Sequence, residues 1–395
     1  MEGPPTSMSN SNPTSSPVPL LDVNRGNRPL RDEIMASIAE VVDSGRFLHG
    51  PQVGELECTV AGICNTTQAI ACASGSDALL LALMALDIQA GDEVIVPSFT
   101  FFATASAVSR LGAIPVFVDI DPKTYNICPD EVAANVTSRT KAIIPVHLFG
   151  QCASMDKICA IGARHQIPII EDAAQAIGAQ YLDRPAGSWG DIGCLSFYPT
   201  KNLGGMGDGG MMVCNNQLTA AKLRLLASHG MQPRYYHKLV GINSRLDTIQ
   251  AAILNVKIAH LQAYANKRSS HADRYALLFE AEGLSNYFEL PFQTLEGTHV
   301  WNQYGIRIPD GLRDALRKHL TEMGIGNEVY YPVPLHLQEC FHDLGYTTGT
   351  LPKTEQAAKE ILHLPIYPEL TEQEQLSVVA GIKRFFATAT QSKAA

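Results

Sequence analysis

Short apolar runs alternate with segments whose apolar residues recur every three to four positions through the first half of the chain. The runs, at 68–72, 93–97, 114–118, 141–146, 167–171, 192–196 and 210–214, predict buried strands. The periodic segments, at 78–86, 102–111, 155–165 and 217–229, predict helices. A strand covered on both faces is apolar at nearly every position, as in Glu93-Val94-Ile95-Val96-Pro97. This alternation predicts an α/β fold, a mostly parallel sheet with helices on both faces. Two helices precede it. One spans 28–43, where Ile34, Ile38, Val41 and Val42 share a face and Gly45 stops the run; the other spans 53–64, after the Gly50-Pro51 turn.

After Gly230 the pattern changes. A loop over 231–243 leads into helical periodicity over 244–282, then a strand at 299–308, a helix at 312–323, a strand near 328–331 and a terminal helix at 371–386. The expected organisation is a disordered tail over 1–17, a large α/β domain over 18–243, bridging helices over 244–285 and a small C-terminal α+β domain over 286–395. A chain of 395 residues exceeds one ordinary core, which agrees with two domains.

Composition narrows the class. The net charge is −9 with no basic cluster, which argues against nucleic acid and anionic membranes as partners. The longest apolar block, 78–86, is far shorter than the roughly 20 residues that cross a bilayer. Nine cysteines without a C-x-x-C pair suggest a reducing compartment, and residues 1–17 lack the apolar centre of a secretion signal, so a cytoplasmic protein is expected.

The chemistry gathers at Ser196-Phe197-Tyr198-Pro199-Thr200-Lys201 and the glycine-rich run to Gly210 that follows. A lysine in uncharged surroundings loses part of its preference for the ammonium form, so its amine attacks an aldehyde near neutral pH. Asp172, 29 residues upstream, ends an apolar strand, where α/β sheets place their ligands. Pyridoxal phosphate needs such a pair: a lysine to hold its aldehyde as a Schiff base, and a carboxylate to keep its ring nitrogen protonated. Ala73-Ser74-Gly75-Ser76-Asp77 lies between a strand and a helix starting near Ala78, where free amides favour a phosphate; the plain alternative is a helix cap by Ser76 or Asp77. Phe99, Phe101 and Phe102 offer either an aromatic face for a pyridine ring or core packing. His147 reads equally as a site residue or a satisfied core histidine.

Gly205-Met206-Gly207-Asp208-Gly209-Gly210 matches G-x-G-x-x-G, but it precedes a strand and opens no helix, which excludes a dinucleotide fingerprint. Asp119 with Asp121, and His336 with Cys340 and His342, lack metal-site spacing. Asn243 or Ser244 is expected to cap the helix that follows, with Asp247 in a capping box.

Glu171-Asp172-Ala173-Ala174-Gln175-Ala176, Ser196 to Lys201 and Gly207-Asp208-Gly209-Gly210 together resemble the DegT/DnrJ/StrS family of sugar-nucleotide aminotransferases, over nearly the whole chain. The resemblance implies the aspartate-aminotransferase-like fold of fold type I pyridoxal phosphate enzymes. It implies that Gly75, Ser76 and Ser196 hold the cofactor phosphate, Phe101 stacks on the ring, and Gln175 bonds the phenolic oxygen. It further implies that Asn243 reaches the phosphate of a neighbouring subunit's cofactor, making a homodimer with shared active sites. The expected reaction moves an amino group from glutamate to a nucleotide-linked keto sugar. The stretch 241–252 resembles the branch acting at the sugar 3-position, with 4-keto sugars the alternative. Arg245, two residues past Asn243, is a candidate for the substrate's pyrophosphate or a sugar carboxylate. Tyr331 and His336 are candidate sugar contacts, and a structural cap stays open for His336. A sugar dehydratase of the same fold would lack the lysine, and a regulatory binding protein would be expected to carry a basic patch or an added module.

Overall fold

The computed structural model describes residues 17–394. The disorder expected of residues 1–17 falls, but for Pro17, outside them. Seven strands, β1 (Gln68–Cys72), β2 (Glu93–Pro97), β3 (Ile114–Val118), β4 (Thr140–Ile143), β5 (Ile170–Asp172), β6 (Ile192–Ser196) and β7 (Gly210–Cys214), form two ladders, β3-β2-β4 and β1-β7-β6-β5. Parallel bridges from Ile143 to Ile169 and from Val146 to Asp172 join these into one sheet. Six strands share a direction. Only β7 opposes them, paired antiparallel with both β1 and β6. The cause is the connection: β6 turns into β7 through a loop with no crossover helix, which permits only an antiparallel pair.

Alternate residues of each strand serve opposite cores. Helices α1 (Arg31–Ser44) and α2 (Pro51–Ile63) precede the sheet, and Val94 and Val96 join the apolar cluster around the next, α3 (Gly75–Ala85), while Ile95 faces the cluster built on Leu56, Val60, Ile158 and Leu254. A third core gathers Tyr275, Phe279, Tyr304, Leu316, Leu320, Ile361 and Ile382, and takes in Phe99, Leu148 and Phe149 from the edge of the sheet. Its two-stranded ladder pairs β8 (Tyr304–Arg307) with β9 (Ile361–Leu364).

Several expected elements differ. The single helical run over 244–282 is two helices, Thr248–Ile258 and Leu261–Ala281. The first helix is not capped by Asn243 or Ser244. Asp247 holds the N-cap position without a side-chain cap bond, and the free amide of Thr248 donates instead to the Phe47 carbonyl at 2.9 Å. The strand expected at 299–308 shortens to β8, the one near 328–331 reduces to a bridge between Glu328 and His363, and the helix Pro352–Glu360 with β9 was not expected. No helix among the described residues is long and apolar enough to cross a membrane, and all nine cysteines are free thiols.

Candidate active site

Three chain crossings meet at the carboxyl edge of the sheet. β5 delivers Asp172 there, α3 begins there, and the loop from β6 to β7 brings Lys201 back over it. The three enclose a cavity of about 500 Å³ bordered by Gly75, Ser76, Phe101, Asp172, Gln175 and Lys201, among others.

The phosphate end is built on α3. Its N-cap is Ser74, not Ser76 or Asp77: the Ser74 hydroxyl accepts from the Asp77 amide at 3.1 Å. Starting the helix three residues earlier than expected leaves the amides of Gly75 and Ser76 in the first turn, where no intrahelical partner exists and the dipole favours an anion. Ser196 closes this end so tightly that a Cβ at position 75 would sit 2.7 Å from the Ser196 Cβ, so glycine is required. Behind it, the Ser244 hydroxyl donates to Asp77 at 2.7 Å and accepts from the Ala73 amide at 3.1 Å. Ser244 therefore straps the start of α3 and does not cap the helix after it.

Asp172 is 5% exposed and Thr104 fully buried. The Thr104 hydroxyl donates to one carboxylate oxygen at 2.8 Å, and the Ala174 amide donates to the other at 3.2 Å. Burial holds the Asp172 carboxyl above the usual carboxylate range, and these two donors and the charge of Lys201 offset part of that rise. Lys201 has no side-chain hydrogen bond among the described residues. Burial pushes its amine down to about 8, against the opposing pull of Asp172. Its loop is fixed from behind, where the Gln250 side chain accepts from the Met206 amide at 2.9 Å and donates to the Met206 carbonyl at 3.3 Å.

Of the three phenylalanines, Phe99 is core, Phe102 packs on Phe341 with ring centres 5.6 Å apart, and Phe101, 57% exposed, borders the cavity 6.2 Å from the Tyr331 ring. Gln175 is oriented by accepting from the Phe149 amide at 2.7 Å, which turns its amide nitrogen to the Tyr331 hydroxyl at 3.4 Å. Tyr331 borders the cavity. His336 does not. It is 1% exposed, accepts from the Ser98 hydroxyl at 2.6 Å and bonds Glu355 at 3.3 Å, which uses both ring nitrogens away from the cavity. His147 is likewise a satisfied core histidine between Glu171, at 2.8 Å, and the Ala153 amide, at 3.2 Å. Neither Asn243 nor Arg245 borders the cavity of its own chain. Gln303 and Tyr330 also border the cavity; Thr104 went unforeseen, because nothing local marks its hydroxyl as facing Asp172.

The sequence signature of the DegT/DnrJ/EryC1/StrS aminotransferase family matches residues 29–383. A pleiotropic regulatory protein of Geobacillus stearothermophilus is 49% identical, covering 93% of this chain and 98% of its own. A UDP-N-acetyl-3-dehydro-α-D-glucosamine 3-aminotransferase of Acidithiobacillus ferrooxidans is 44% identical, covering 93% and 97%. The crystal structure of Streptomyces venezuelae DesV in complex with a ketimine intermediate superposes with a TM-score of 0.90 at 40% identity, over 94% of this chain and 99% of DesV.

Proposed function

The chain belongs to the DegT/DnrJ/EryC1/StrS family of pyridoxal phosphate-dependent aminotransferases, and on that premise we propose that it moves an amino group from glutamate to carbon 3 of a nucleotide-linked keto sugar. The observation that carries this reading is the convergence of Lys201, Asp172 and the free amides of α3 on one cavity. Those residues fit the cofactor. The amides of Gly75 and Ser76 with the Ser196 hydroxyl suit its phosphate, Asp172 its ring nitrogen, Gln175 its phenolic oxygen, and Phe101 its face. When bound, the cofactor supplies an electron sink and carries the amine between two substrates.

The chain's own residues do the rest. Lys201 would hold the cofactor through its Nζ, and the same amine, when free, would take the proton from the donor carbon as base and return one to the sugar carbon as acid. A buried amine near 8 is poised for both directions. Asp172, whose ionised form the Thr104 hydroxyl and the Ala174 amide favour against the opposing effect of burial, would hold the proton on the ring nitrogen.

The 3-position rests on the 241–252 stretch and on the A. ferrooxidans relative, whose name specifies a 3-dehydro sugar. Shared sites in a homodimer are supported by Asn243, which is exposed, and Arg245, which has no side-chain partner among the described residues; neither borders its own cavity. The regulatory name of the G. stearothermophilus relative suggests a second reading. Lys201 argues for chemistry, since a sensor needs no buried free amine.

Three measurements test this. Borohydride reduction with peptide mapping is expected to fix the cofactor on Lys201, and a label on another lysine contradicts the mechanism. NMR of the product is expected to show nitrogen on carbon 3; nitrogen on carbon 4 would overturn the position alone. Mixing Lys201→Ala with Asn243→Ala protein is expected to restore activity above either parent, and no gain after verified subunit exchange would refute shared sites.

A further inference from the structure

Lys201 also borders a groove of about 50 Å³ outside the main cavity, where Lys257, Tyr264, Arg268 and Glu369 meet the segment 21–27. Tyr264 and Arg268 stand four residues apart on one face of the helix Leu261–Ala281, and Lys257 comes from the last turn of the helix before it. Arg268 is 4% exposed. Its Nη1 donates to the carbonyls of Trp301 at 3.0 Å and Ile366 at 2.8 Å, whereas Nε and Nη2 have no partner among the described residues and, unlike the Nε of Arg274, are not closed off from solvent. The Lys257 amine and the Tyr264 hydroxyl also make no hydrogen bond among the described residues.

The charges around the groove do not cancel by contact. Glu369 makes no ion pair among the described residues, and its carboxylate packs instead on the backbone of Gly26, where a Cβ would lie 3.4 Å from Oε1. Asp22, the other acid there, is held by Arg25 at 3.2 Å. Burial lowers the Lys257 amine to about 8 and the Arg268 guanidinium to about 10, each against the pull of Glu369. Two cations facing one unpaired acid leave a surplus of one positive charge, and a charge removed from water is costly until an opposite one meets it. That surplus suits a carboxylate better than a phosphate dianion. The volume is about that of two carboxylate oxygens, at a water's share of roughly 30 Å³ each.

We propose that the groove binds the carboxylate of a small organic acid, through Lys257, the open edge of Arg268 and the Tyr264 hydroxyl. The inference rests on the aminotransferase reading for one source of that acid, since an amino donor and the keto acid it becomes both carry carboxylates. The main cavity offers them little: apart from Lys201, the charged side chains of this chain that border it are Asp172 and Asp208. An unrelated organic acid would bring the same group.

Titration calorimetry of the holoenzyme with glutarate, which has no amine to give, is expected to show saturable binding. A crystal structure of that complex is expected to place a carboxylate within hydrogen-bond distance of Lys257 and Arg268. Lys257→Gln should weaken glutarate about tenfold or more and Tyr264→Phe several-fold, without unfolding the protein, since both positions are partly exposed. A raised KM for glutamate at unmoved kcat in Lys257→Gln assigns the site to the donor, and an unmoved KM beside lost glutarate binding assigns it to another acid; the site stands in both. Glutarate seated only in the main cavity, water alone between the cations and Glu369, phosphate bound more tightly than glutarate, or wild-type affinity in both variants would overturn the proposal. Groove binding by protein that never takes an amine from glutamate would refute the aminotransferase reading and leave the carboxylate site standing.

Discussion

Replacing Thr104 by valine keeps the shape of the side chain and deletes the hydroxyl that supports Asp172. The lost bond is 2.8 Å long and joins a fully buried donor to a carboxylate 5% exposed, so water cannot replace it. A hydrogen bond to a charged group contributes about 1.5–3 kcal/mol. At about 1.36 kcal/mol per pKa unit, the loss raises the Asp172 carboxyl by a further one to two units or so. The sign follows from linkage. The folded-state value already lies above the ordinary one, so the folded protein binds the proton more tightly than the unfolded chain, and ionised Asp172 counts against folding. Thr104→Val adds to that cost wherever the carboxyl is ionised, and the added cost fades as pH falls through the raised folded value towards the ordinary carboxylate range. Urea unfolding of cofactor-free protein should therefore show a deficit of about 1.5–3 kcal/mol near pH 8 that shrinks steadily towards about pH 4. Thr104→Ser, which keeps the donor, should show a smaller deficit that does not change with pH. An equal deficit for Thr104→Val at both ends would mean that Thr104 only fills space, and the reasoning would fail.

Other outcomes follow from the same geometry. The rate at which cofactor-free protein recaptures pyridoxal phosphate should rise with pH through about 8 and level off above it, because only the neutral Lys201 amine attacks; a rise confined to the ordinary lysine range near 10.4 would contradict the burial argument. Gly75→Ala drives a Cβ to 2.7 Å from that of Ser196 and should weaken cofactor binding about tenfold or more, read by fluorescence titration, at a stability cost of about 1–3 kcal/mol; unchanged affinity would remove Gly75 from the phosphate end. His336→Leu, which strips the partner from Ser98 and Glu355, should lower stability by about 1–3 kcal/mol with the KM for the sugar unmoved, whereas a raised KM at full stability would restore the sugar contact.

Five strands, β1, β2, β3, β6 and β7, carry the bounds that their apolar runs predict, because a strand covered on both faces writes its burial into every position. β5 begins three residues later than its run. Pro168 has no amide to give a ladder, and the Ile169 amide is taken by the Asp191 side chain at 2.8 Å, so pairing with β6 starts at Ile170. β9 was hidden because four apolar-rich residues next to a helix have no distinguishing period. The break between the helices Thr248–Ile258 and Leu261–Ala281 lies at Ala259 and His260, where no glycine or proline announces it.

The sequence by itself determined the alternation of strands and helices and the pairing of an uncharged-flanked lysine with a strand-ending aspartate, since both are written in neighbouring residues. Only the tertiary structure decided which polar side chains share the cavity. It brought Thr104 to Asp172 across 68 positions and Gln303 and Tyr330 to the cavity that Lys201 borders, and it turned His336 and His147 into the core. Asn243 and Arg245 it left outside their own site. Those outcomes depend on how distant segments pack around a common core, and the period of a local run carries no information about its distant neighbours.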